Sequence, residues 1–181
     1  SAAGAQEQPA EQNWTLRYAE NNQANDSITL AAKELARLVD ERSGGRIKIE
    51  VYAGGQLGGH ANVIQSIQAG TLEMGRTQFG YLADAGLKKL AVFSLPFMFS
   101  GIDHARATMH GTVGSSMLEE IKKDVGVIGL GYLVTYPRHF FFRSKDVQSL
   151  KDMKGLRLRV QPGALYVEMV QAFGASATPI D

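Results

Sequence analysis

Arg46-Ile47-Lys48-Ile49-Glu50-Val51-Tyr52 runs straight into Ala53-Gly54-Gly55-Gln56-Leu57-Gly58-Gly59, and this join sets the fold class. Ile47, Ile49 and Val51 alternate with charged residues at the two-residue period of a strand. The glycines that follow suit a turn with positive φ. Val63, Ile64 and Ile67 then recur at helical spacing, and Gly70 closes the helix. Such a loop, between strand and helix, has the setting of a phosphate cradle. It lacks the lysine and serine of a nucleotide-binding loop and does not fit the dinucleotide fingerprint, so it reads as a turn.

The same alternation continues outward. Upstream, residues 14–19 form a short strand candidate, followed by a polar stretch over 20–26. Asn25, Asp26 or Ser27 can cap a helix whose apolar positions are Ile28, Ala31, Leu35, Leu38 and Val39, with Gly44 and Gly45 at its end. Downstream, 71–78 is a strand candidate in which Leu72 and Met74 share a face with Arg76 and Gln78. Residues 92–99 are apolar, but Pro96 makes them too irregular for a central strand. A helix over 103–124 contains Gly111 and Gly114 as potential breaks, and 127–134 reads as a long apolar strand. Residues 140–143 and 156–160 complete the strands, and a last helix carries Val167, Met169, Val170 and Phe173 up to Gly174. Strands alternating with helices predict an α/β fold built from parallel crossovers. Residues 175–181 look like the next strand with nothing after it, so a C-terminal portion is expected to be missing.

Composition narrows the function classes. A chain of 181 residues has room for one ordinary domain or two small lobes. A formal net charge of +1 provides no basic stripe for nucleic acid. Without cysteine there is no disulfide, no thiolate nucleophile and no cysteine ligand for zinc. The longest apolar stretch, 90–99, is interrupted by Ser94 and Pro96 and is too short to span a bilayer. Residues 1–12 are rich in Ala, Gln, Glu and Gly without amphipathic order, and read as a flexible leader of the kind left after a secretory signal peptide is removed.

Catalytic and metal patterns find little support. His60, His104, His110 and His139 make no HExxH arrangement, so no metal is expected. There is no Gly-x-Ser-x-Gly elbow. Glu119-Glu120 with Lys122-Lys123 reads as a solvated helix face, and Phe140-Phe141-Phe142 as core.

Two stretches with arginine stand out. In Lys154-Gly155-Leu156-Arg157-Leu158-Arg159-Val160, leucine and valine face one way while Arg157 and Arg159 face the other. A guanidinium on such a strand offers a planar fork of donors that matches a carboxylate. The plain alternative is a solvated strand face. Arg138 lies in Tyr136-Pro137-Arg138-His139, before this strand. With Glu20 and Asn21 after the first strand and Arg76 and Gln78 on the third, polar residues collect at strand ends, where open α/β sheets bind ligands.

In order along the chain, several segments resemble the solute-binding proteins of TRAP transporters, the DctP family. They are Leu35-Ala36-Arg37, Ser43-Gly44-Gly45-Arg46-Ile47-Lys48-Ile49, Gly55-Gln56-Leu57-Gly58 and Gln68-Ala69-Gly70-Thr71-Leu72-Glu73-Met74. Leu95-Pro96-Phe97-Met98-Phe99, Asp152-Met153-Lys154-Gly155-Leu156-Arg157-Leu158-Arg159-Val160 and Gly174-Ala175-Ser176-Ala177-Thr178-Pro179 follow. The resemblance spans 14–181. It implies a periplasmic receptor of two lobes, with lobe I over 13–135 and an incomplete lobe II beginning at 136–181. Such a receptor closes on a small organic acid, a sugar acid or a C4-dicarboxylate, and delivers it to a TRAP membrane permease, with no cofactor and no nucleic acid.

By motif, Arg159 takes the ligand carboxylate and Arg138 assists. Asn21 or Glu20 corresponds to the family's polar residue after the first strand, and Gln78 to its third-strand contact. Arg76 is unusual for the family and a further candidate for facing the ligand, and His139 is a hydrogen-bonding neighbour. The rival reading is an α/β enzyme acting on an organic acid with His139 as general base. It needs a second positioned group, and the sequence shows none.

Overall fold

A computed structural model describes residues 12–135, 137–143 and 146–180. The expected leader lies outside these residues except for Gln12, as do Tyr136 and Asp181. The chain divides into two compact units, 1–76 and 77–181.

Unit 1 is a small parallel sheet with helical crossovers. Strand β1 (Trp14–Ala19) lies between β2 (Ile47–Tyr52) and β3 (Met74–Gly75), in the order β2-β1-β3. β1 and β2 run parallel from Trp14 opposite Ile47 to Ala19 opposite Tyr52, and Ala19 also stands opposite Gly75. All three strands therefore end at one edge. Helix α1 (Ser27–Arg42) connects β1 to β2, and α2 (His60–Gln68) connects β2 to β3. The Asp26 carboxylate caps α1 by accepting from the Ile28 N–H at 2.8 Å. Gly54 (φ +67°) and Gly55 (φ +73°) turn the chain from β2 toward α2 through left-handed backbone, as the glycine run predicts.

Two expectations for unit 1 are corrected. The inward face of α1 is set by Thr29 and Ala32, both buried, while Leu35 stays 41% exposed. Thr29 donates to the Asn22 carbonyl at 3.3 Å, and the fully buried positions of α1 are held by small residues. The third strand is only two residues long rather than the eight anticipated over 71–78. Its neighbours are drawn into other bonds, with Thr71 Oγ1 donating to the Ser66 carbonyl and Glu73 accepting from Arg17. Ala19, Val63 and Leu72 form the core, with Leu57 and Ile67 packed on it.

Unit 2 begins with α3 (Phe79–Asp84) and a 3₁₀ helix (Lys88–Ser94). Helices α4 (Ile102–His110) and α5 (Thr112–Glu120) follow, and α5 runs on as a π turn (Ile121–Val125). The long helix does break at Gly111. Helix α6 (Leu150–Met153), strand β4 (Arg157–Val160), helix α7 (Ala164–Ala172) and strand β5 (Ser176–Pro179) complete it. β4 and β5 are parallel, from Arg157 opposite Ser176 to Val160 opposite Pro179, with α7 as their crossover. Leu158 and Val160 point into a core with Met153, Val170 and Ala175.

Residues 127–134 and 140–143 do not form the strands that their composition predicts. A strand exists only where a neighbour takes its backbone N–H and C=O groups. Among the described residues these two segments enter neither sheet. Ile128, Leu130 and Leu133 are accordingly 71%, 78% and 54% exposed. Of the three consecutive phenylalanines, Phe142 packs on the β4 core, whereas Phe141 is 91% exposed and is not core.

Candidate functional site

In unit 1 the polar residues gather where the three parallel strands end. Glu20 directly follows β1, and Arg76 directly follows β3. The Arg76 guanidinium grips the Glu20 carboxylate in bidentate fashion, Nε to Oε2 at 2.9 Å and Nη2 to Oε1 at 2.7 Å. Nη2 also donates to Asn22 Oδ1 at 2.8 Å. The Glu20 side chain has no exposed surface and that of Arg76 only 15%. Burial alone would make the Arg76 guanidinium easier to deprotonate, but the bonds and charge of Glu20 outweigh it and its pKa is raised. Nearby, burial pushes up the Tyr18 phenol, and the Glu20 charge adds to the shift.

Asn21 sits between these pinned residues. Its Nδ2 donates to the Gly58 carbonyl in the turn after β2, at 3.1 Å. Its Oδ1 is enclosed and receives no hydrogen bond from the described residues. An acceptor left this way costs on the order of 1–3 kcal/mol, which a donor brought by a ligand or water recovers.

In unit 2, β4 presents the alternation expected of it. Leu158 and Val160 are buried, while Arg157 and Arg159 are exposed on the opposite face. Arg159 makes no ion pair or hydrogen bond with any described residue, whereas Arg17, Arg37 and Arg76 each hold a glutamate. Two residues beyond Arg159, just past the end of β4, stands Gln161. Its side-chain oxygen accepts from Nη1 of Arg138, and Gln78 Oε1 accepts from Nη2 of the same guanidinium at 3.1 Å. The Arg138 guanidinium also lies 5.9 Å from the centre of the Tyr166 ring, within cation–π range. The fold thus brings Arg138, Gln78 and the end of β4 together.

His139 is exposed and has no partner among the described residues, so no base-and-orienter pair forms around it. Gln161 and Tyr166 were not foreseen from the sequence. The strand period, continued one step past Val160, would have pointed to Gln161; no comparable signal marks Tyr166. Among the described residues no cluster of three or more His, Asp or Glu is placed to hold a metal ion. No helix among them is long and apolar enough to cross a membrane.

Residues 18–181 match the bacterial extracellular solute-binding protein family 7, DctP, and the chain belongs to that family. It is 27% identical over 150 residues to the C4-dicarboxylate-binding protein DctB of Bacillus subtilis strain 168, covering 81% of this chain and 41% of that protein. Among solved structures, a TRAP periplasmic solute-binding protein from Pseudomonas putida F1 with bound D-glucuronate superposes with a TM-score of 0.84. The two are 29% identical, over 92% of this chain and 54% of that one. A TRAP periplasmic solute-binding protein from Sulfitobacter sp. NAS-14.1 with bound β-D-galacturonate gives a TM-score of 0.85 at 26% identity, over 92% of this chain and 55% of that one. The α/β fold is therefore that of the two-lobed periplasmic binding proteins of TRAP systems. The chain spans about half the length of the first curated relatives it matches.

Proposed function

We propose that this chain is the ligand-binding part of a periplasmic receptor that captures a small organic acid and hands it to a TRAP membrane permease. It performs no chemistry on the ligand. The observation that carries the reading is Arg159, a guanidinium held on the exposed face of a strand with a buried back and with no carboxylate partner among the described residues. A ligand carboxylate supplies the missing partner, with two parallel N–H···O bonds. Arg138, fixed by Gln78 and Gln161, adds a second positive group, and Asn21 and Gln78 serve the ligand's polar remainder. The organic acids named for the relatives, uronates and C4-dicarboxylates, share the carboxylate that this chemistry recognises.

The test is isothermal titration of the full-length protein with D-glucuronate, D-galacturonate and succinate, for wild type and Arg159→Ala. Removing the guanidinium from a closed-off carboxylate costs about 2–5 kcal/mol, so binding of the preferred acid falls at least ~30-fold. Unchanged affinity in Arg159→Ala refutes the assignment.

A further inference from the structure

We infer that Glu20 and Arg76 act as a positioning pair that presents Asn21, and that neither touches the ligand. This rests on the receptor reading only for what Asn21 does. Glu20 joins the exits of all three strands of unit 1. Its N–H donates to the Tyr52 carbonyl at the end of β2 (2.9 Å), and its carbonyl accepts from Gly55 in the glycine turn (3.0 Å). Its carboxylate holds Arg76 beyond β3 and also accepts from the Asn22 N–H at 2.9 Å. Arg76 returns two bonds to the same stretch, its N–H to the Ala19 carbonyl (3.1 Å) and its Nη2 to Asn22 Oδ1. The Asn22 carbonyl in turn accepts from Gly54 at 2.8 Å.

Both neighbours of Asn21 are thereby fixed, one by a fully buried carboxylate and the other by the guanidinium bound to it. The Asn21 side chain is bonded to Gly58, and the backbone that carries it is held in this frame. The pair is also neutral as a unit. A ligand carboxylate that recruited Arg76 would have to leave Glu20 buried and unpaired, which is the costly state of such a pair. Arg76 is consequently a cation already spent within the protein, unlike Arg159.

The experiment uses the full-length protein with Glu20→Met, Arg76→Met and the double variant, each alone and combined with Asn21→Ala. Either single change strands a buried polar partner and lowers Tm by about 10 °C. The double variant removes both charges at similar volume and loses less than the sum of the singles. Against D-glucuronate, D-galacturonate or succinate, whichever the wild type prefers, the double variant weakens binding about tenfold. In the Asn21→Ala background the same double change alters Kd less than about twofold, because the residue it positions is gone. An equal loss in both backgrounds makes Arg76 a direct contact and overturns the inference, as does no loss in either.

If the wild type binds none of these acids, the receptor reading fails separately. The side-chain amide signals of Asn21 in a ¹⁵N NMR spectrum then decide the positioning claim without ligand. They shift and exchange faster in the double variant if the pair holds Asn21, and stay unchanged if it does not.

Discussion

Replacing Gly75 by alanine tests how tightly the edge of unit 1 where its strands end is packed. Gly75 ends β3, directly before Arg76. A Cβ there would lie 2.5 Å from Val63 Cγ1, 3.4 Å from the Ala19 carbonyl oxygen and 3.5 Å from Ala19 Cβ. Carbon atoms in contact prefer about 3.5–4.0 Å, so the added methyl overlaps Val63 by roughly 1 Å. Val63 cannot swing away, being only 1% exposed in the core with Ala19 and Leu72. Overpacking of this kind costs about 1–3 kcal/mol. Trp14, the only tryptophan, lies on β1, so its fluorescence during urea unfolding reports on this unit. Gly75→Ala should lower the urea midpoint with little change in slope. Val63→Ala removes Cγ1, and although it loses stability alone, the double variant should be less destabilised than the sum of the singles by about 1 kcal/mol or more. A Gly75→Ala protein within about 0.5 kcal/mol of wild type, or a strictly additive double variant, refutes the packing argument.

Further outcomes follow from other parts of the chain. Val170 is fully buried beneath β4, and Val170→Ala should cost about 1–3 kcal/mol in thermal unfolding through the cavity it leaves. Phe141→Ser, at a 91% exposed position, should change stability by less than about 0.5 kcal/mol, while Phe142→Ser, packed on the β4 core, should cost several-fold more. The hydrogen bonds and charge of Arg17 hold the Glu73 carboxyl at about 2 against an ordinary 4.5. A depressed folded-state pKa contributes stability that is complete above about pH 4.5 and is lost as pH falls toward 2. The stability gap between wild type and Arg17→Gln should therefore narrow from pH 7 to pH 3 in urea titrations, and a gap independent of pH contradicts the assignment.

The sequence was legible where local pattern and tertiary partner agree. β2, its glycine turn and α2 follow the alternation and spacing closely, and β4 shows the buried and exposed faces that put Arg159 outside. Residues 127–134 have the composition of a strand but no ladder among the described residues, and composition cannot report whether a neighbour is there. In α1 the buried positions are Thr29 and Ala32 while the larger Leu35 is exposed, which apolar spacing alone does not reveal. The candidate site residues can be picked out by type and motif, but their pairing cannot. Glu20 and Arg76 are 56 residues apart and Arg138 and Gln78 are 60 apart, so only the folded chain shows which arginine is neutralised and which is not.

The protein holds its arginines in two electrically different ways. Arg76 is fixed by a carboxylate, which cancels its charge, whereas Arg138 is fixed by the amide oxygens of Gln78 and Gln161, which orient it and leave its charge whole. In unit 2, Arg138 and Arg159 accordingly stand near the end of β4 without an ion pair to any described residue. A cation without a carboxylate partner acts on an anion over a reach of about 8 Å at physiological ionic strength. On the proposed receptor reading, added salt should slow capture of an acid more than it hastens release. Exchanging Gln161 for glutamate would keep a hydrogen-bond acceptor at Arg138 while cancelling that residue's share of the pull.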